Sequence, residues 1–502
     1  MPPLTNQKKV SMKDVLEEKV PPGEVEAARA VEPERISPKR VAAVITALVL
    51  SALIMILNET VLTVALPNLM ADLSIQATTA QWLTTGFMLT MAVVIPTTGF
   101  MLQRFTTRGL FVAAMLLFIV GTALATIAPT FAVLLIARIV QAGGTAIILP
   151  LLMTTTLTSV PVQHRGTVMG LNSVVISVAP AIGPTLSGAI IDSFNWRWVF
   201  GLMIPVAIIV FLFGAFAIKT GKETRKAPLD VLSVILSAFA FGGIVYALSS
   251  IADLLEGAWA PIVALVVGVI ALVLFINRQR ALRKTESDLL DLRPFKVHNF
   301  RISVVIVMIA MATMLGTVMV MPIFMQNGMG LGTLTIGLAL LPGGLIQGIV
   351  SPIVGRIYDK VGPRPIVIPG AVLLAGGQWL LGSVHIDTPI SMIVVFHTVF
   401  CVGMAMLMTP LMTVALGALP REQYGHGSAI MNTLQQLAGA AGTAVLIAAM
   451  TIGTTVAASS GIADNVALVD GVRFAFTVGG LLGLVAIVCA PFVRRLQPEA
   501  DH

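Results

Sequence analysis

The stretch "MILNETVLTVALP", residues 55–67, puts an acid, Glu59, near the end of an apolar run that begins at Val41. A carboxylate at mid-bilayer costs roughly 2.5–3.5 kcal/mol on the insertion scale, so acids in such places face polar cavities and carry function. A second charge, Arg138, lies inside another apolar run, in "ARIVQAGGTAIILP", residues 137–150. If both runs are spanning helices, Glu59 stands seven residues before the end of its span near Leu66. Arg138 stands seven residues after the start of its own near Phe131. At 1.5 Å per residue both lie roughly 10 Å from the same membrane boundary. Two such groups on neighbouring helices can neutralise each other across a cavity. The carboxylate can then take a proton from one side and release it on the other, while a cationic compound competes for the same charge. The structural alternative is an ion pair that only ties two helices together.

The elements that would position these charges are plain in the composition. Of 502 residues, 57% are hydrophobic and 11% charged, against about a quarter charged in soluble domains, so the chain reads as an integral membrane protein. Apolar runs of spanning length fall near 41–66, 80–101, 109–128, 131–152, 167–190, 198–218, 230–250 and 259–277. Six more fall near 301–324, 335–354, 365–384, 390–413, 428–456 and 472–493, which makes fourteen. Residues 1–40 mix acids, bases and prolines and read as a solvated tail; with no apolar segment before Val41 they are not expected to be a cleaved signal. Among the basic residues that lie in loops between spans, only Arg197 and Arg473 fall on the side opposite the termini. The positive-inside rule therefore places both termini in the cytoplasm and the chain, multi-pass, in the cell membrane. The formal charge of +7 thus marks topology, and no nucleic-acid partner is expected. Cys401 and Cys489 sit singly in apolar runs, which excludes a disulfide framework and a CxxC metal site.

An internal repeat organises the spans. "GFMLQRFTTRGLF", residues 99–111, aligns with "GRIYDKVGPRPIV", residues 355–367, so that Gly99 matches Gly355, Arg104 matches Lys360 and Arg108 matches Arg364. The copies are eight spans apart, as expected for two parallel six-helix halves separated by two extra helices. The expected organisation is a charged tail at 1–40, a six-helix bundle at 41–218, and two inserted helices with a basic linker at 219–300. A second six-helix bundle at 301–493 and a short tail at 494–502 complete the chain.

With these motifs in hand, residues 40–495 resemble the fourteen-span drug:proton antiporters of the major facilitator superfamily. "ARIVQAGGTAIILP" resembles the family's fourth-helix motif, in which the arginine, here Arg138, couples protons. "APAIGPTLSG", residues 179–188, resembles the fifth-helix antiporter motif and supplies Ala179, Pro180, Gly183, Pro184, Ser187 and Gly188. "WRWVFGLMIP", "LALLPGGLIQGIVSPIVGRIYDKVGPRP" and "YGHGSAIMNTLQQLAGAAGTAV" are similar to further family segments, and "LNETVLTVALP" with "LQRFTTR" to the lincomycin-resistance branch. The chain departs from the pattern in two places. The family's first-helix acid stands one position earlier, where this chain has Asn58, and the acid of the first loop motif is Gln103 here, whereas the second copy keeps Asp359.

The expected function is proton-coupled export of hydrophobic, amphipathic or cationic compounds, including antibiotics of the lincosamide type. Glu59 and Arg138 would be the coupling pair, with Asn58, Gln141, Gln326, Asn432 and Gln435 as candidate cavity residues. Gly99, Arg104, Arg108, Gly355, Arg356, Asp359, Lys360 and Arg364 would form a cytoplasmic gate, Asp359 latching to one of its basic neighbours. The small residues of "APAIGPTLSG" are expected to pack on the glycine-rich tenth span, so that the two halves meet there. His397 and the methionines of spans 9 and 12 read more readily as packing than as proton or ligand sites. No GxxxxGK[ST] loop and no HExxH motif occurs, so energy is expected from a proton gradient, with no cofactor, no metal and no enzymatic reaction. Protons, small-molecule substrates and membrane lipid are the expected partners of a monomer. Export of an endogenous lipid, amino acid or metabolite is the alternative, and a membrane-embedded enzyme or passive channel a more distant one.

Overall fold

The computed structural model describes residues 37–218, 230–251, 257–283, 288–460 and 463–495. The expected N-terminal tail lies outside these residues, apart from its last four, as does most of the C-terminal one. The chain divides at Ala42–Ala43, and the packing described here is that of the unit from Ala43 onward. No strand occurs among the described residues, and fourteen helices are long and apolar enough to cross a membrane. In hydrocarbon every backbone N–H and C=O must be satisfied within its own segment, which is why the apolar runs become helices and nothing else. They are α1 (Pro38–Leu73), α2 (Ala77–Arg104), α3 (Thr107–Thr126), α4 (Phe131–Ser159), α5 (Arg165–Ser193), α6 (Trp196–Ala217) and α7 (Val231–Ser249). The rest are α8 (Trp259–Leu282), α9 (His298–Ile323), α10 (Thr333–Val361), α11 (Arg364–Gly382), α12 (Ile390–Gly417), α13 (Tyr424–Ser459) and α14 (Asp464–Cys489).

Their ends are set by local chemistry. The Thr106 hydroxyl accepts from the Gly109 N–H at 3.1 Å to start α3, and Asp230 accepts from the Ser233 N–H at 3.2 Å to start α7. Gly362, at φ +82°, closes α10 in a conformation that glycine adopts without cost. α14 starts eight residues before the apolar run that marks it in the sequence. Its first turns carry Asp470 and Arg473, which pair at 3.1 Å within the helix, so Arg473 is a helix residue and not a loop residue.

Within the first half α2 packs on α4, and α3 on α4 and α6; within the second, α9 packs on α12, α13 and α14, and α11 on α12 and α14. The halves meet along two seams, α5 on α10 and α2 on α13, and the inserted pair α7–α8 lies beside the second, α7 touching both α2 and α13. Trp82 of α2 and Tyr246 of α7 stack there at 5.8 Å.

The α5–α10 seam is the one expected; Ala181 of the motif lies in it, but the other close contacts are made by residues that precede the motif. Ala181 meets Gly344, Val178 meets Gly348, Gly170 meets Ser351 and Pro352, and Gly166 meets Gly355. A Cβ at Gly170 would stand 2.8 Å from the Pro352 Cα, so the backbones approach as only glycine allows. Gly183 and Ser187 of the antiporter motif instead face α1: Gly183 lies against Thr60, and the Ser187 hydroxyl donates to the Val61 carbonyl at 2.9 Å. The helical period explains the correction. Residues 183 and 187 share one face, and 181, two residues away, is about 200° around the helix. α5 runs unbroken through Pro180 and Pro184, and nothing lies within contact of a Cβ at Gly188.

Candidate functional site

Arg138 is fully buried on α4, and its guanidinium is held almost wholly by neutral groups. Nη1 donates to Asn58 Oδ1 at 2.7 Å, to the Asn58 carbonyl at 3.3 Å and to Gln141 Oε1 at 3.1 Å. The Phe87 ring of α2 lies under the guanidinium, 4.3 Å from centroid to Cζ, and Nε has no partner among the described residues. Asn58 is also fixed from its other end, Nδ2 donating to the Met203 sulfur at 3.4 Å, and Gln141 by its Nε2 donating to Thr122 Oγ1 at 3.0 Å. Each neighbour of the arginine is therefore held by a further helix: α6 through Asn58, α3 through Gln141. A buried charge of this kind needs partners for its donors, and the bonds to Asn58 and Gln141 all come from Nη1 while Nε has none among the described residues.

Glu59 lies one residue beyond this knot. It is half-buried, and its carboxylate has no hydrogen-bond partner among the described residues. It lies close enough to Arg138 for the two charges to act on each other, yet no ion pair joins them. The depth match read from the sequence is thus realised at position 58, and the charge-to-charge contact expected between 59 and 138 is replaced by the Asn58 amide. The cause is again rotation: Asn58 faces α4, Thr60 faces Gly183 of α5, and Glu59 points between those directions. A carboxylate so placed, near an arginine but not spent on it, is free to bind a proton or a cation.

The other candidate residues are dispersed. Asn432 donates to the Ser428 carbonyl of its own helix at 2.9 Å, and Gln435 to the Met412 sulfur at 3.5 Å. Both are buried in the second half, whereas Gln326 is exposed in the π-helical turn Phe324–Gly328 that ends α9. Gln141 turns toward α3 and so supports Arg138. His397 is buried over Gly343, with the Cys401 sulfur 3.6 Å from its Nε2.

At the end of the helices that carries the basic loops, the halves are bolted together. The Asp359 carboxylate of α10 accepts from the Gly166 and Thr167 N–H groups at 2.8 and 2.9 Å and from the Thr167 hydroxyl at 2.7 Å, capping the N-terminus of α5 in the opposite half. Free N–H groups at a helix start are the natural partners of a carboxylate, and they take Asp359 away from the basic residues expected to latch it. Arg364 instead donates to the Val493 carbonyl at 3.0 Å, the Lys360 carbonyl accepts from Arg495 at 3.4 Å, and Arg356 is exposed. Arg104 is half-buried at the last turn of α2 and Arg108 is exposed. In the first-half copy the glycine does the packing: Gly99 lies under the His426 ring of α13, and Gln103 meets His426 Nε2 at 2.8 Å. Arg165 donates to Tyr424 Oη at 3.2 Å, and Thr409 to Ser173 Oγ at 3.1 Å. Every hydrogen bond between the halves among the described residues lies toward this end. Nearer the other end α5 and α10 part around an apolar crevice of about 360 Å³, lined by Ile182, Thr185, Leu186, Ala189, Leu341 and Leu345.

Phe87, Thr122 and His426 are the supporting residues that the sequence did not single out. A phenylalanine under an arginine has no spacing signal, but the glycine at 99 marks a close approach that His426 fills.

Comparison with known proteins gives a consistent result. Residues 48–443 match the family described as Major Facilitator Superfamily. The chain is 40% identical over 454 residues to the Lincomycin resistance protein LmrB of Bacillus subtilis (strain 168), covering 89% of this chain and 94% of that protein. It is 39% identical over 449 residues to the Uncharacterized MFS-type transporter YcnB of the same organism, with 89% and 94% covered. Among solved structures, the human organic anion transporter MFSD10 (TETRAN) superposes with a TM-score of 0.65 at 15% identity, over 91% of this chain and 100% of that one, a likeness of fold.

Proposed function

The chain belongs to the Major Facilitator Superfamily, and from that premise we propose that it exports hydrophobic and cationic compounds, lincosamide-type antibiotics among them, in exchange for protons. The basic loops would face the cytoplasm, as their charge supports. One observation carries the reading: an acid inside the membrane, Glu59, half-buried, without a hydrogen-bond partner among the described residues, and beside a fully buried arginine whose bonds go to neutral groups.

The chemistry follows from that placement. Arg138 stands close enough for its charge to act on Glu59, so small movements of α1 against α4 change how firmly the carboxylate holds a proton. In the state closed at the basic-loop end, Glu59 loads a proton from the opposite side; when the halves rock about α5 and α10, the proton leaves to the cytoplasm and a cationic or amphipathic compound takes its place. Gly183 and Ser187, lying against Thr60 and Val61, transmit the movement of α5 to the helix that carries the acid. In inside-out vesicles energised with a proton gradient, Glu59→Gln is expected to remain folded and lose compound-driven proton flux. Full flux in that variant would remove Glu59 from the mechanism.

A further inference from the structure

The two inserted helices are joined to the α2–α13 seam by a run of polar contacts, half-buried at its start and buried beyond. At the basic-loop end, Asp230 before α7 is held by Arg278 of α8, Nε at 2.7 Å and Nη2 at 2.8 Å, and by the Ser233 hydroxyl. Ser233 accepts in turn from Gln279 Nε2 at 2.7 Å. Gln279, 2% exposed, turns its Oε1 to the backbone N–H groups of Leu289 and Leu290, at 2.8 and 3.1 Å, and so fixes the strand of chain that leads out of α8. The next residue, Asp291, donates its backbone N–H to Nδ1 of His426 at 3.3 Å, and the other ring nitrogen meets the side-chain amide of Gln103 at 2.8 Å. His426 is 4% exposed and lies flat on Gly99, where a Cβ would stand 2.7 Å from Nδ1. One imidazole therefore joins three elements: the linker from the inserted pair, α13 of the second half and α2 of the first.

The donor and acceptor inventory fixes the proton on this ring. A backbone N–H can only donate, so Nδ1 accepts and the neutral ring carries its hydrogen on Nε2; the Gln103 amide, whose nitrogen is placed 2.8 Å from Nε2 and 3.5 Å from the Glu422 carbonyl, must then turn to present its oxygen to the ring. Protonation would put a second hydrogen on Nδ1, facing the Asp291 N–H, and two donors cannot share that contact. The charged groups that act on the ring are Asp288 and Asp291, opposed by Arg293, all from the linker; Arg293 is itself tied to Asp291. α2 presents only the neutral Gln103 and the bare Gly99.

We propose that α7 and α8 act as a strap that holds the α2–α13 seam shut at the basic-loop end, with His426 as its buckle, fastened while the ring is neutral and released when it is protonated. The opposite seam has a carboxylate in the corresponding place, Asp359 on the α5 N-terminus. Acidification on the basic-loop side thus loosens the strapped seam. This rests on the reading that the halves rock, but its test needs no substrate and no transport.

The test is a distance. Spin labels at Phe105→Cys and Arg421→Cys, both exposed and on the two sides of the seam, are placed in the full-length protein with Cys401 and Cys489 replaced by alanine and studied in lipid nanodiscs. At about pH 8 the labels should be dipolar-coupled, and in acid, once the ring has gained its proton, the coupled population should be lost. His426→Asn keeps an acceptor toward Asp291 and cannot gain the charge, so coupling should persist at both pH values. Gln279→Leu frees the linker and should lose coupling at both. A pH-independent distance in the parent, a pH response retained in His426→Asn, or unchanged coupling in Gln279→Leu would each overturn the strap. None of these results depends on Glu59, so they leave proton-coupled export to be judged separately.

Discussion

Removal of the Asp359 carboxylate should open the protein at its basic-loop end. Three hydrogen bonds are lost, to Gly166 N–H, Thr167 N–H and the Thr167 hydroxyl, at 2.7–2.9 Å. Hydrogen bonds to a charged group contribute about 1.5–3 kcal/mol net, and less where water competes for the group. Asp359 is half-buried and regains water when the seam parts, so the net bias toward closure is about 2 kcal/mol, in the range of a strong helix N-cap. That corresponds to about 30-fold in the closed-to-open ratio. Asp359→Asn keeps an oxygen for the two amides but loses the charge, and about 1 kcal/mol or about fivefold is expected. The assay is the labelling rate of Ser173→Cys, a residue 8% exposed in the closed seam, by a membrane-impermeant maleimide in inside-out vesicles. Asp359→Ala should raise the rate roughly 30-fold and Asp359→Asn by less. Equal rates in all three proteins would refute the reasoning, because the cap would then contribute nothing to closure.

Other consequences follow from the same contacts. Gly344→Val puts side-chain bulk where Ala181 already touches the backbone; overpacking of about 1–3 kcal/mol should hold α5 and α10 apart, abolishing transport while circular dichroism stays helical. Arg138→Ala leaves Asn58 Oδ1 and Gln141 Oε1 without their donor and removes the charge beside Glu59, so compound-driven proton release should vanish and thermal stability fall by roughly 1–3 kcal/mol, read by a melting curve in detergent. Asp230 is held down to about 2, chiefly by its hydrogen bonds from Arg278, against an ordinary aspartate near 4. Its folded-state value is the lower one, so its stabilisation is present above about pH 4 and lost as pH falls toward 2. Asp230→Asn should therefore melt earlier than the parent at neutral pH, and the difference should close with acidification over that window.

Most of the fold was legible because hydrocarbon leaves so little choice. An apolar run of about 20 residues becomes a helix, and the repeat of "GFMLQRFTTR" in "GRIYDKVGPR" gave the two halves and the inserted pair between them. What hydropathy missed were the polar ends. α1 continues to Leu73 and α14 begins at Asp464 because helical hydrogen bonding does not stop where apolar composition does. The depth match of positions 59 and 138 was also legible, since it needs only a rise per residue. Which of two adjacent residues meets the arginine was not, because that depends on the rotation of α1 against α4, and Asn58 took the contact expected of Glu59. For the same reason the small residues at 183 and 187 could be recognised as a packing surface but not assigned to α1 over α10. At Gln103 the sequence showed only that the acid of the loop motif is missing. Its replacement by a contact to His426, more than 300 residues away, is a tertiary fact that no local pattern carries.

Proton exchange at Glu59 is tested most directly by mixing purified protein with a transported compound in weakly buffered detergent solution and following pH. A proton should be released on binding in the parent and none in Glu59→Gln, with binding of a neutral compound retained. Release of equal size from both proteins would contradict it.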